Sequence, residues 1–398
     1  MKILIVSQYF WPEEFRVNDL AIELVKRGHE VSVITGIPNY PKGKFYQGYN
    51  FNYKIEYYKG IKLYRVPILP RGSNSFSLLL NYLSFLISGS VFAFFHRAEY
   101  DKIFAVNFSP ITSVIPGIIY SKKKSTKMYL WVQDLWPESV FAASEIRSKI
   151  LHNFLTKIVK LIYKNSHKIL VQSEGFIDSI IQKGISRDKI LNLPNWAEDL
   201  YFESSSKSKY QDLIPKGFVV MFAGNIGDAQ DFNSILQAAK LSKTEESIKW
   251  VIIGDGRKLS WLKKQIVDLE LENKITLLGR YPVEEMPNFF IHADLMLVSL
   301  KRKEIFSLTV PSKIQSYMAF GKPIVGMLDG IGAKIIKDSN CGYYGGAGDF
   351  KMLHQNVINA YSEGASKLIK KGSNGKDYYD RHFSKKKVID TLINIFNH

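Results

Sequence analysis

A chain of 398 residues, 46% hydrophobic and 23% charged, has the composition of a folded protein, which excludes disordered and fibrous classes, and its length suits two domains of about 200 residues. The net charge is +17, and 26 Lys/Arg against 16 Asp/Glu in the first 200 residues supply +10 of it; without zinc-finger spacing, an RNP pattern or heptads behind a basic region, this favours phosphate and anionic lipid over nucleic acid. The single cysteine, Cys341, excludes an internal disulfide and a Cys-cluster metal site.

The first segment, "MKILIVSQYFW", is too short for a signal peptide and reads as a buried strand over 3–7, so a cytoplasmic location is expected. "VNDLAIELVKRGHEV" has helical spacing and ends at Arg27-Gly28, and "VSVITG" is a second strand, which makes a β-α-β start. Further strands are expected at "KLYRVPI", "KIFAVNF", "KMYLWVQD" and "KILVQS". Residues 76–95, "FSLLLNYLSFLISGSVFAFF", carry no charge and are long enough to cross a bilayer. Asn81, four serines and Gly89 leave three readings open there: a spanning helix, a helix dipping into or lying on one leaflet, and buried core. "SKKKSTK" (121–127), Lys157, Lys160 and Lys164 are either a solvated face or an attraction for anionic lipid.

The domain boundary is expected in the polar stretch 193–217, giving domains over 1–200 and 201–383. Strands at "FVVMFAG", "KWVIIGDG", "ITLLGR", "LMLVSL" and "PIVGML" then alternate with helices at "ILQAAKLS", "LSWLKKQIVDL" and "MPNFFIHA". Apolar strands alternating with helices predict parallel sheets covered on both faces, hence an α/β protein of two doubly wound domains. A loose "KKGSNGKDYYDRHF" precedes a terminal amphipathic helix over 384–398, expected to pack back on the first domain.

In open α/β sheets ligands sit at the carboxyl ends of strands. Three such loops contain glycine and add a polar or basic group: Asn225, Arg257 with Lys258, and Arg280. "KEIFSLTVPSKIQSYMAFGKPIV" (303–325) follows another strand. Its small-residue turn into a helix predicts unpaired N–H groups suited to a phosphate, with Glu304 placed to accept hydrogen bonds from the hydroxyls of an attached sugar; an ordinary loop capped by Ser312 is the plainer alternative. In the first half Asp134 ends an apolar strand, where a carboxylate could orient an acceptor hydroxyl, with Glu138 as the alternative; Asp134 could equally be a helix cap. Glu13, Glu14, Arg16 and Asn18 follow the first strand, and Arg16 could meet a phosphate. The histidines have no ligand spacing, so neither a metal nor another cofactor is expected.

The second half resembles the GT-B glycosyltransferases of retaining family 4, whose pattern Glu-x-Phe-Gly-Leu-x-x-x-Glu-Ala-Met-Ala-x-Gly-x-Pro-Val stands here as "EIFSLTVPSKIQSYMAFGKPIV". "SQYFWPEEFRVNDLAIELVKRGHEVSVITGIPNYPKGKFYQGY" and "WVQDLWPES" resemble a bacterial subgroup that builds O-antigen, capsule and colanic-acid repeats, including N-acetyl-L-fucosamine transferases. The resemblance implies a GT-B fold of two Rossmann-like domains facing a central cleft. It implies that Glu304 contacts the donor sugar, that backbone near Ser307, Leu308 and Thr309 holds the diphosphate, and that Arg280 and Tyr281 border the nucleobase. It puts Asn225, Arg257 and Lys258 at the diphosphate or ribose. Two departures stand out: the family's second glutamate, which binds ribose, falls on Ser316, and the Arg/Lys pair after the domain's first strand is replaced by Asn225 and Gln230. Arg257, Lys258, Lys301 and Lys313 are the candidate replacements.

The expected activity is transfer of an N-acetylated deoxyhexose such as N-acetylfucosamine, with retention, from a UDP-sugar to a polyprenyl-diphosphate-linked saccharide. The protein is expected to be held peripherally or monotopically at the anionic inner membrane. Alternatives are a UDP-sugar 2-epimerase or hydrolase of the same architecture and a non-catalytic nucleotide-sugar-binding scaffold.

Overall fold

The computed structural model describes residues 1–72, 74–143, 148–202 and 209–398. The chain forms two compact units, Met1–Pro194 with Ile389–His398, and Asn195–Val388. The Ser/Lys stretch at 203–208, expected in the linker, lies outside the described residues.

The first unit runs β1 (Lys2–Val6), α1 (Arg16–Lys26), β2 (Glu30–Gly36), β3 (Lys54–Tyr58), β4 (Ile61–Val66), α2 (Ser75–Phe95), β5 (Lys102–Asn107), α3 (Ile115–Lys124), β6 (Met128–Val132), α4 (Glu138–Ala143), α5 (Lys149–Asn165), β7 (Lys168–Val171), α6 (Phe176–Gln182) and β8 (Ile190–Asn192). The strand order is β3-β4-β2-β1-β5-β6-β7-β8. Every pair is parallel except β3 with β4. The inner strands β1, β5 and β6 are buried along almost their whole length, as a sheet covered on both faces requires. From β4 onward each connection steps the same way across the sheet. Right-handed crossovers therefore put α2, α3, α5 and α6 on one face, and α1, whose connection steps the other way, on the opposite face.

Helix α2 packs tightly on α3: a Cβ on Gly89 would lie 2.9 Å from Pro116 Cγ. Its Asn81 is buried, donating to the Leu69 carbonyl (2.6 Å) and accepting from Gln8 Nε2 (2.8 Å).

The second unit runs β9 (Phe218–Ala223), α7 (Phe232–Leu241), β10 (Ile248–Ile253), α8 (Leu259–Asp268), β11 (Ile275–Gly279), α9 (Met286–Phe290), β12 (Leu295–Ser299), α10 (Glu304–Leu308), α11 (Ser312–Ala319), β13 (Ile324–Met327), α12 (Gly330–Ser339), β14 (Gly342–Gly345), α13 (Phe350–Glu363) and α14 (Ala365–His382). Its strands are ordered β11-β10-β9-β12-β13-β14, all parallel. Alternate residues of β9 feed two cores: Val219 and Met221 join the one that holds α11, while Val220 and Phe222 join that of α7 and α8.

Of the segment expected to be loose, 370–383, all but Phe383 is instead part of α14. Its glycines, which lower helix propensity, permit close approach here: a Cβ on Gly372 would lie 2.1 Å from the Gly321 carbonyl oxygen. The last helix, α15 (Lys385–Asn397), ends in the first unit. There Phe396 packs on Phe104 and Tyr129, and Asp390 pairs with Arg27 of α1.

Candidate active site

In the second unit the loops leaving β9, β10 and β11 are hydrogen-bonded one to the next. Gly224 N–H donates to the Ile253 carbonyl (2.8 Å), Ile226 N–H to Asp255 (2.8 Å), and Gly254 N–H to Gly279 (2.7 Å). Only glycine serves at 254, where φ is +144° and a Cβ would lie 1.8 Å from the Gly224 oxygen. Asn225, Arg257 and Arg280 stand exposed on these loops. Lys258 is already paired, its Nζ 3.2 Å from Asp228 Oδ1, and Lys301 stands 3.8 Å from the same oxygen. The hydrogen bond from Lys258 holds the Asp228 carboxyl below its ordinary range. The three groups, with Asp231, Phe232 and Trp261, line a recess of about 170 Å³. Tyr281 is packed edge-on against Phe289 (4.6 Å) and Tyr210 (5.3 Å).

The turn after β12 corrects one expectation. Residues 304–308 form a single helical turn, so Ser307 N–H is spent on the Lys303 carbonyl (3.2 Å) and Thr309 N–H reaches that of Phe306 (3.4 Å). The Ser307 and Thr309 hydroxyls likewise bond the carbonyls of Glu304 and Ile305. Short-range helical geometry at "EIFSL" wins over the open turn that its small residues suggested. The amides of Ser312 and Lys313, in the first turn of α11, have no hydrogen bond among the described residues. Glu304 is exposed at the start of α10.

Lys313 occupies the position the sequence left open. Its Nζ lies 4.4 Å from the centre of the Phe222 ring, and a Cβ on Gly224 would be 3.1 Å from it. The ammonium thus stands at the carboxyl end of β9, beside the loop in which the Arg/Lys pair is missing. Burial pushes it down to about 8. Among the described residues it forms no ion pair with a carboxylate.

In the first unit two expected acceptor contacts, Glu13 and Asn18, are corrected, because these groups are held internally. Glu13 is buried and accepts from the amides of Asn39 (2.8 Å), Tyr40 (2.7 Å) and Phe10 (3.3 Å). Burial pushes it up to about 7 against the pull of those amides and of Arg65. Asn18 accepts from Trp11 N–H (3.0 Å) and donates to the Glu13 carbonyl (2.6 Å). Glu138 pairs with Lys183 and accepts from Ser179 (3.0 Å). Glu13 and Asn18 tie loops together, and Glu138 ties the start of α4 to α6 through Oε1 while its buried Oε2 has no partner; the residue types alone do not separate such roles from ligand binding. Arg16 opens α1.

Asp134 stands just past β6, its carboxyl pushed up to about 6 by burial with Ser139 and Trp136 pulling the other way. Near it Gln8 Oε1 and Asn107 Oδ1 are buried polar atoms with no partner. Native interiors satisfy nearly all such atoms, so these two leave room for a water or a polar group of a ligand. An aromatic wall of Tyr9, Phe15, Tyr40 and Phe108 adjoins it, with ring centres 4.8 to 5.5 Å apart. Arg71 lies over Tyr40 (5.1 Å), and its charge bears on the hydroxyls of Tyr9 and Tyr82. Sequence reading missed Arg71 and Tyr82. Arg71 follows β4 in "ILPRGSN", so the strand-end rule that singled out Asn225 would have found it; Tyr82 is hidden within the apolar run of α2.

Two doubly wound units with strand-end loops of this kind make the GT-B class of fold. Residues 14–196 match the family described as Glycosyl transferase 4-like domain, and residues 205–376 match Glycosyl transferases group 1. The chain is similar to the putative colanic acid biosynthesis glycosyl transferase WcaI of Escherichia coli (strain K12), 24% identical over 81% of this chain and 82% of that one. It is 30% identical to the probable glycosyltransferase WbjE of Pseudomonas aeruginosa over 51% of each. Among solved structures, HepE of Anabaena in complex with UDP and glucose has a TM-score of 0.71 at 17% identity, covering 100% of this chain and 99% of that one. Sucrose-phosphate synthase from Thermosynechococcus elongatus has a TM-score of 0.76 at 13% identity, covering 100% and 98%. The chain belongs to the GT-B glycosyltransferases of family 4.

Proposed function

We propose that this glycosyltransferase takes an N-acetylated deoxyhexose, N-acetylfucosamine or a close relative, from a UDP donor held by the second unit. The acceptor is a polyprenyl-diphosphate-linked saccharide seated on the first unit, in the cytoplasmic assembly of a bacterial surface polysaccharide. The observation that carries this reading is Lys313, a half-buried lysine whose ammonium has no carboxylate partner among the described residues, set beside the interlocked glycine loops. The leaving diphosphate needs its growing charge stabilised as the glycosidic C–O bond breaks, and a fixed cation with the free amides of α11 does this without a metal. Glu304 accepts hydrogen bonds from the sugar, Asp134 orients the acceptor hydroxyl, and a phosphate oxygen of departing UDP takes its proton. UDP and glucose in the HepE crystals, and colanic acid in the name of the WcaI relative, support the donor and the pathway class.

The test is incubation of the protein with UDP-N-acetylfucosamine and a lipid-linked acceptor, with and without EDTA, followed by mass spectrometry of the lipid fraction. The expected result is one added sugar in both samples. Release of free sugar alone would favour a hydrolase, and absence of any affinity for uridine nucleotides by calorimetry would overturn the reading.

A further inference from the structure

A helix on the surface of a soluble domain normally turns charge outward and apolar residues inward. Helix α2 is apolar both ways. Asn81, Phe85, Gly89 and Ala93 form its buried stripe. Leu79, Leu83, Ile87, Val91 and Phe95, each two residues from a buried position and so on the opposite side, are exposed, with 62% of Ile87 and 69% of Phe95 open to solvent. From Leu79 to Phe95 the stripe runs about 25 Å.

The same face of the sheet carries α3 and α5. The outward line of α5 is Ile150, Phe154, Lys157, Leu161 and Lys164, all exposed. Between α2 and α5, α3 ends in Lys122, Lys123 and Lys124. Lys123 bonds the Phe94 carbonyl at the end of α2 and lies 5.4 Å from the Phe94 ring. Not one aspartate or glutamate occurs in α2, α3 or α5, while α3 and α5 together hold seven lysines.

We propose that α2, α3 and α5 dock the first unit on an anionic lipid bilayer, with α2 lying along the headgroup boundary and the lysines meeting lipid phosphates. An apolar stripe bordered by cations, with no acid on the three helices and Glu99 beyond α2 paired to Lys124 (3.4 Å), matches that surface in both of its properties. The helix does not span, because its inner stripe belongs to the fold: Asn81 is bonded to Gln8 and Leu69, and Gly89 is pressed against Pro116.

The test is sedimentation of the full-length protein with sucrose-loaded vesicles, of phosphatidylcholine alone or with phosphatidylglycerol added, at low and high salt. Wild type binds the mixed vesicles. Leu83→Glu with Ile87→Glu lowers the partition constant about tenfold or more. Neutralising Lys122, Lys157 and Lys164 to alanine, or raising salt, lowers it several-fold; this arm leaves the contacts of α2 intact and stands even if the glutamate variant misfolds. Failure of wild type to bind mixed vesicles overturns the proposal, as does equal binding by the variants. Two other results also overturn it: self-association in solution abolished by the glutamate pair would mean a protein covers this face, and resistance to alkaline extraction from membranes would mean a spanning helix. Sugar transfer is not read, so either result leaves the donor chemistry untouched.

Discussion

Replacing Lys313 by methionine removes the ammonium and keeps most of its stem. In the free protein burial against Phe222 and Gly224 pushes this amine down to about 8, whereas a diphosphate beside it restores the charged form. At pH 8 roughly half of the free molecules therefore hold Lys313 neutral, and nucleotide binding takes up about 0.5 proton; at pH 7 the figure is about 0.1. Calorimetry of UDP binding in two buffers of different ionisation enthalpy measures this uptake. The difference between wild type and Lys313→Met isolates it from protons released by UDP itself. Loss of one charge-assisted hydrogen bond, about 1.5–3 kcal/mol, weakens Kd by about 10- to 150-fold. Stability moves the other way. An amine whose folded pKa lies below its unfolded one is destabilising while charged, and stability rises as pH climbs from about 8 towards the unfolded value, so the variant melts no lower than wild type at pH 7. Equal proton uptake in the two proteins, or an unchanged Kd, would refute the assignment of this lysine to the diphosphate.

Asp134, pushed up to about 6, is to work as a carboxylate, so kcat/KM falls tenfold per pH unit below about 6, and Asp134→Asn levels that limb; a limb that survives in the variant would belong to another group. Arg71→Ala raises KM for the lipid-linked acceptor about 10- to 100-fold through loss of a charged hydrogen bond, while UDP affinity by calorimetry stays put. Gly254→Ala drives a methyl group to within 1.8 Å of the Gly224 oxygen at a φ of +144° and lowers stability by about 2 kcal/mol or more in a thermal melt.

Buried strands were legible in the sequence because their character is local. β1, β5, β6, β9, β10 and β12 are apolar runs with glycine or a helix signal after them, and that pattern survives any packing. β3, an exposed antiparallel edge, β8, of three residues, and β14, with glycine at both ends, lack such a run. The helical 370–382 segment was illegible for the opposite reason: its two glycines speak locally against helix, and the contacts that make them favourable, Gly321 and Cys341, are distant in sequence. The candidate site divides along the same line. Which loops gather at strand ends follows from fold class. Whether Glu13 or Asn18 faces a ligand or another loop depends on partners such as Asn39 and Trp11, which spacing does not show.

The two departures from the family pattern, at Ser316 and in the loop after β9, are physically connected through α11. Lys313 reaches the β9 loop from the first turn of this helix, and Ser316, where the resemblance puts a glutamate, is three residues further on. Side chains at i and i+3 of a helix are neighbours, so a glutamate at 316 would stand within reach of the ammonium and pair with it. Such a pair would neutralise the cation before any diphosphate arrived, and it would lift the amine back towards its ordinary value by supplying a countercharge. Moving the cation onto α11 therefore requires giving up the acid there, and the small Ser316 side chain meets that requirement. Ser316→Glu restores the family residue and should nevertheless weaken UDP binding by about tenfold, the proton uptake at pH 8 falling towards zero. Calorimetry reads both quantities in one experiment. If Ser316→Glu instead tightened UDP binding with uptake unchanged, the lysine and the position at 316 would be independent, and the ribose would be meeting a carboxylate that the native chain merely lacks.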